Sequence, residues 1–359
     1  MTGASTVVEL LNTKPGCDTR RIRQHLEEQI YERLNRVYSP IGIAQPRDTI
    51  SSSQEDLRMY QPHDVLRVQR RFPTELACRK YLQKHRWPKG FWCTRCGSSK
   101  ANWIKTRGLY QCRGCRYQVS LTAGTIFHKT KIHLQKWFWL ILLMSQNKHG
   151  ISILEAQRLL GIRTYETVWG MTHKIRTAMA HRDTRYKLVG LIEFDDAVFG
   201  RKLEGKKTRT GSRQRTVRVA VGTNVLGRPT FTRMEVADYA GVLHAQDMAK
   251  RSIAPGQVLR TDGGVSFPAL KELGFGHEPH SQMTPQEMNR FLPWVHTVIA
   301  NAKRFMLGTH HQESPRHLQR FLDEFSYRFN RRWVQGQLFD RLLTACVTTG
   351  SVKSADLTR

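Results

Sequence analysis

Apolar residues along this chain change their period twice. From Thr19 to Tyr38, Ile22, Leu26, Ile30 and Leu34 fall four apart, the spacing of an amphipathic helix. The Ser- and Pro-rich stretch after it reads as a linker. A second helical pattern runs from Arg67 to Arg86, with Phe72, Leu76 and Tyr81 among basic residues. Trp137 to Met144 is apolar throughout and reads as a core helix. Next, Ser152 and Glu155 have capping-box spacing, and Ile153, Leu154, Leu159 and Leu160 form an apolar stripe. Gly161 makes a turn, and Thr164 caps a second helix carrying Val168, Met171 and Ile175. This is helix–turn–helix grammar with a basic end at His173, Lys174 and Arg176, a pattern shared with helical hairpins that never touch DNA.

Near residue 188 the grammar becomes that of strands. "LVGLIEFDDAVFG" is one strand by its β-branched and aromatic content. "RTVRVAVGTNVLGRPTFTRMEV" reads as two strands joined through Asn224 to Pro229, and Asp247 to Ile253 closes a helix. "GQVLRTDGG" is a short strand ending in Asp262. After Pro293 helical spacing returns, with Leu318, Phe321, Leu322, Phe325 and Phe329 on one face. The chain therefore divides into an N-terminal extension (1–70), a cysteine-bearing segment (71–130), a helical segment (131–185), an α/β domain (186–335) and a C-terminal tail (336–359).

Charge narrows the class of partner. Of 359 residues, 58 are Lys or Arg and 29 Asp or Glu, a formal net charge of +29, which predicts salt-sensitive attraction to a polyanion. Charge alone names nucleic acid and nothing finer. Between Arg201 and Arg218 stand eight basic residues and one acid, Glu204. This flexible stretch offers Lys206, Lys207, Arg209, Arg213 and Arg215 to phosphates, joined by Lys174 and Arg176 from the helical segment. The longest apolar run, Trp137 to Met144, is far short of the roughly 20 residues that cross a bilayer. With no signal-like N-terminus, the chain is expected in the cytoplasm, on the nucleoid of a bacterium or in a eukaryotic nucleus, and away from membranes.

Four of the seven cysteines form two Cys-x-x-Cys pairs, Cys93 with Cys96 and Cys112 with Cys115, separated by fifteen residues. Two such turns supply four thiolates to one tetrahedral ion, with a short hairpin between them. Structural Zn²⁺ is the expected occupant, and a rubredoxin-like iron or iron–sulfur site is the alternative. Four protein thiolates leave no open position, so this metal is structural. Asp195 lies within a strand and Asp262 ends another. Two strand-borne aspartates suit Mg²⁺ or Mn²⁺ in phosphoryl transfer, although such residues also cap turns or pair with arginine.

The order of these parts closely resembles bacterial insertion-sequence transposases related to the Merlin superfamily. The resemblance covers about residues 70 to 335 and rests most on "IEFDDAVFGRK", "LRTDGG" and the block from Val295 to Arg332. It implies a multidomain α+β protein: a zinc ribbon and helix–turn–helix-like helices, then an RNase H-like domain with a mixed sheet that cuts and rejoins double-stranded DNA with two metal ions. It places the first catalytic aspartate at Asp195, with Asp196 in the acidic position beside it, and the second at Asp262. The usual third glutamate is absent, and the segment from His296 to Lys303 has Asn301 and Lys303 instead, as one branch of the family does. Asn301 then offers a carbonyl oxygen to Mg²⁺, and Lys303 holds a phosphate. Glu324 is the fallback third carboxylate, although its spacing suits a helix surface, and His277 is a further candidate near Asp262. The partners implied are the terminal inverted repeats, target DNA and at least a second copy of the chain. The competing readings are a zinc-ribbon regulator, a decayed transposase without catalysis, and an RNA-processing nuclease on the same fold.

Overall fold

Period-2 and period-3.6 segments fold into two sheets and a helical layer. The computed structural model describes residues 65–200, 214–237, 241–264, 268–280, 284–310 and 315–358. The Thr19–Tyr38 helix and its linker lie outside them, as do Lys206, Lys207, Arg209 and Arg213.

The helical layer begins with α1 (Val65–Arg71) and α2 (Glu75–Arg86) and continues after the ribbon as α3 (Leu134–Gln146), α4 (Ile153–Leu160) and α5 (Tyr165–Asp183). Thr74 caps α2 by accepting the amide of Ala77 at 3.2 Å. In α3 the unbroken apolar run is buried at Trp137, Phe138, Leu140, Ile141, Leu142 and Met144, as its composition requires. Ser152 caps α4, accepting the Glu155 amide at 3.1 Å, and Gly161 ends it at φ 57°, where a side chain would be strained. The expected α4 stripe is only half right. Ile153 and Leu160 are buried with Ala156, but Leu154 and Leu159 are 55% and 62% exposed, because positions 153, 156 and 160 alone follow the helical repeat on that face.

α5 is not an exposed recognition helix. Val168, Met171, His173, Ile175, Arg176, Ala178 and Met179 are all buried, and the helix is exposed chiefly at its first turn, Tyr165 and Glu166. It packs on α4, on α9 (Leu318–Phe329) and on α10 (Leu338–Thr348). Residues 336–359 are therefore no tail. Leu338, Phe339, Leu342, Leu343 and Cys346 of α10 repeat every three or four residues and fill the same core as α3 and α5, and α11 (Ser354–Thr358) follows.

The ribbon is a three-stranded antiparallel sheet of β1 (Ala101–Ile104), β2 (Leu109–Cys112) and β3 (Gln118–Ser120), in that order. The second sheet has β4 (Leu191–Phe199), β5 (Arg215–Thr223), β6 (Pro229–Ala237), β7 (Val258–Thr261) and β8 (Gly276–Pro279), in the order β6-β5-β4-β7-β8. The first three strands are antiparallel and β7 and β8 run parallel to β4, a mixed sheet of the RNase H-like kind. Helix α6 (Val242–Ser252) covers one face over Ile192, Phe194 and Ala220. After α7 (Pro285–Phe291), helices α8 (Pro293–Thr309) and α9 cover the other over Ala197, Val217, Val219 and Val221. Odd residues of β4 thus face α8 and even residues face α6.

The outer edge of β6 is closed by carboxamides rather than by a strand. Gln319 accepts the Val236 amide at 2.8 Å and donates to the Met234 carbonyl at 2.9 Å. Asn330, three turns along α9, makes the same pair of bonds to Thr232 at 2.7 and 3.0 Å. These side chains occupy main-chain groups that would otherwise invite another strand. No helix among the described residues is long and apolar enough to cross a membrane.

Candidate active site and metal centre

Each Cys-x-x-Cys turn of the ribbon folds the same way. The amide after each second cysteine bonds back to the first, Gly97 to Cys93 at 2.9 Å and Arg116 to Cys112 at 3.0 Å, with positive φ at both Gly97 (74°) and Arg116 (55°). The four Sγ atoms lie within 4.8 Å of one another, with Cys93 to Cys115 at 3.6 Å and Cys96 to Cys112 at 3.5 Å. The chemistry of four convergent sulfurs fits a structural zinc.

The second site lies on β4 and β7. Their parallel register pairs Ile192 with Leu259 and Glu193 with Arg260. Asp195 and Asp262 each lie two residues beyond the Glu193–Arg260 pair, Asp262 just past the end of β7 at Thr261. Burial raises the Asp195 carboxyl above the ordinary range and the charge of Asp262 raises it further, while the Asp196 amide, donating to Oδ1 at 2.7 Å, opposes them. Asp262 is exposed and accepts the Gly264 amide at 2.9 Å.

Strand alternation separates the two adjacent acids. Asp196 faces α6, where Oδ1 accepts a bond from Arg218 Nε at 3.1 Å, and the Arg218 side chain is fully buried. Asp195 faces α8, where its Oδ2 lies 3.3 Å from His296 Nε2. The same face carries buried Glu193, whose Oε2 accepts the amides of Trp294 and Val295 at 2.8 and 2.7 Å and fixes the first turn of α8 against β4.

Other sequence candidates fall in different places. Lys303 is exposed, seven residues after His296 and so about two turns along the same face, with Nζ 5.6 Å from the Phe199 ring centre. Asn301 follows His296 by five residues, which turns it about 140° away around α8. Its oxygen takes Arg304 Nη1 at 3.5 Å. Arg215 is half-buried at the start of β5, and Lys174 is half-buried on α5. Arg176 cannot contact DNA. Its side chain is fully buried, bonded to Glu324 at 2.7 Å and stacked 4.0 Å over Phe321. Glu324 is likewise fully buried, and Arg176 and Arg328 engage it, so it is neither a surface residue nor a spare metal ligand. His277 is half-buried and bonds Thr261 at 2.9 Å rather than Asp262. The residues missed in the sequence are Glu193 and His296. The period of two along β4 was the available signal for Glu193, which stands two places before Asp195; no spacing in the sequence tied His296 to that strand.

Residues 73–118 match the transposase zinc-ribbon domain and residues 187–330 match the ISXO2-like transposase domain. A Halobacterium salinarum protein described as an uncharacterized protein in transposable element ISH50 is 23% identical over 187 residues, covering 51% of this chain and 59% of its own length. The match thus spans less than two thirds of that relative. The Mos1 strand transfer complex aligns with 62% of this chain and 81% of its own at 11% identity and a TM-score of 0.26, a likeness too slight to carry an argument.

Proposed function

We propose that this chain is a DNA transposase that binds the ends of its own mobile element and cuts and joins DNA strands by metal-assisted phosphoryl transfer. The observation that supports the reading is the parallel pairing of β4 with β7, which ends two residues before Asp195 and Asp262, within the stretch that matches the ISXO2-like transposase domain. The donor set fits Mg²⁺ or Mn²⁺. Such ions take one or two carboxylates and complete their shell with substrate phosphates, and among the described residues only the four cysteines form a closed cluster. When bound, the ions polarise the scissile phosphate and activate the attacking oxygen.

The chain's own groups divide the remaining work. Asp195 and Asp262 would hold the cations that engage the reacting phosphate. Lys303 and Arg215, near the end of β4, attract the flanking phosphates, with the basic stretch from 201 to 213 just before Arg215 in sequence. Arg218 neutralises Asp196, so the site is not burdened with a third unpaired carboxylate. The ribbon supplies end recognition together with the first turn of α5. Handling two ends calls for two copies of a single-site chain, so a dimer on DNA belongs to this reading.

The test is nicking of a duplex oligonucleotide carrying the element's end, in Mg²⁺ and in Mn²⁺. Asp195→Asn and Asp262→Asn abolish nicking while gel-shift affinity stays near that of the wild type. A zinc-ribbon regulator without catalysis would show no metal-dependent nicking in the wild type. Full activity in Asp195→Asn would overturn the assignment of the site.

A further inference from the structure

Among the described residues, His296 neighbours Asp195 and has a role that the transposase reading leaves open. Its ring is held at both nitrogens. Nδ1 lies 2.6 Å from Asn289 Oδ1 and Nε2 lies 3.3 Å from Asp195 Oδ2, with the His296 side chain 30% exposed and that of Asp195 14% exposed. An amide oxygen only accepts, so Nδ1 carries the proton toward Asn289. In the neutral ring Nε2 then points a lone pair at a carboxylate oxygen. Two lone pairs facing each other repel unless a cation lies between them or the ring takes a second proton.

The backbone around this pair is fixed in advance. Glu193 anchors the amides of Trp294 and Val295, immediately before His296. Asn289 reaches the ring from α7, which carries its own capping box at Thr284 and Glu287. An imidazole whose far nitrogen donates to a neighbouring oxygen is the usual state of a metal-bound histidine, because that bond sets both tautomer and ring orientation. Asn301, the position the family resemblance assigns as third ligand, is turned about 140° from His296 around the same helix.

We infer that His296, through Nε2, is the third protein ligand of the cation held by Asp195, with Asn289 as its positioning residue, in place of Asn301. This rests on the reading of Asp195 as a metal ligand. In a two-ion site His296 and Asp262 would serve different ions. That arrangement agrees with the lack of any closed cluster of three acids or histidines there among the described residues. One imidazole among oxygen donors shifts preference from Mg²⁺ toward Mn²⁺.

Mn²⁺ binding to the full-length, zinc-loaded protein tests this without reference to cleavage. Pulsed electron paramagnetic resonance of bound Mn²⁺ should show coupling to an imidazole nitrogen. His296→Ala should remove that coupling and weaken Mn²⁺ binding by about tenfold or more, and Asn289→Ala should keep the coupling while weakening binding by about tenfold. Asn301→Ala should change neither. Unchanged Mn²⁺ affinity and nitrogen coupling in His296→Ala, with binding lost in Asp195→Asn, would overturn the inference and leave the Asp195 reading standing. A ring that is doubly protonated, or turned so that Asn289 donates to it, gives that same result. Wild-type Mn²⁺ binding in Asp195→Asn would instead bring down the underlying reading. Thermal unfolding of each variant confirms that the fold is retained.

Discussion

Arg176 and Glu324 sit in the interior between α5 and α9, each side chain fully buried, and their 2.7 Å bond joins residues 148 positions apart. A buried pair of this kind is costly to break from one side, since the remaining charge is stranded without water. Arg176→Met or Glu324→Leu alone should destabilise the fold by about 3–5 kcal/mol, and the double variant by much less. Urea unfolding of the four proteins in a double-mutant cycle measures this. Additive losses would show that the two charges act independently. Neither residue was legible as a partner of the other in the sequence. Arg176 looked like the basic end of a DNA-binding helix, and Glu324 like a surface acid. Composition at one position carries no information about a helix packed against it from 148 residues away. The aspartates were easier to read, because alternation within β4 assigns Asp195 and Asp196 to opposite faces once the strand is recognised. Which face belongs to α8, and hence to His296, depended on the tertiary arrangement.

At the scale of elements, the ribbon is the part least able to stand alone. Its strands have only four, four and three residues, and Trp103 in β1 is 45% exposed. Such a sheet buries too little apolar surface to offset its ordering entropy, so metal binding must supply much of its stability. Cys112→Ser should bind less than the one Zn²⁺ per chain expected of the wild type. It should also lose hydrogen-exchange protection over β1–β3 while β4, β5 and β7 keep theirs. Elemental analysis and exchange mass spectrometry read the two effects. Undiminished zinc in the variant would remove Cys112 from the ligand set. The ribbon's cysteine cluster and hairpin were legible in the sequence, because four cysteines at fixed spacing constrain one another locally, but its third strand, Gln118–Ser120, was not. Strands β4 to β7 were legible for a similar reason, as β-branched runs bounded by glycine and proline. The residues of α10 were passed over as a tail although Leu338, Leu342 and Cys346 fall four apart. That helix is amphipathic only with respect to a surface built by α3 and α5.

For the whole molecule, the helical layer is the part on which the two sheets are mounted. Tyr81 and His85 of α2 bond Asp340 and Thr344 of α10, 259 residues further along, so the two ends of the described chain close the same core. The contact between this layer and α9 carries a pH dependence. His173 on α5 is completely buried against Trp169, His317 and Phe321, and both its ring nitrogens lack a hydrogen-bond partner among the described residues. Burial first, and then the charge of Arg176, pushes its pKa down from 6.5 to about 2. A base whose folded value is depressed stays neutral in the native state while the unfolded chain takes up a proton. Its contribution to stability is therefore intact above about pH 6.5 and is lost progressively as the pH falls toward 2. At about 1.4 kcal/mol per unit, acidification to about pH 4.5 should cost roughly 2.7 kcal/mol through this one residue. His173→Phe keeps an aromatic ring in the same space and cannot be protonated. Its unfolding free energy should fall less steeply than that of the wild type between about pH 6.5 and 4.5, by a slope of about one proton. Urea unfolding across that range compares the two proteins directly, and the groups that titrate in both cancel in the difference. Parallel pH profiles would mean that the folded protein protonates the His173 ring over the same pH range as the unfolded chain, and would overturn the assignment.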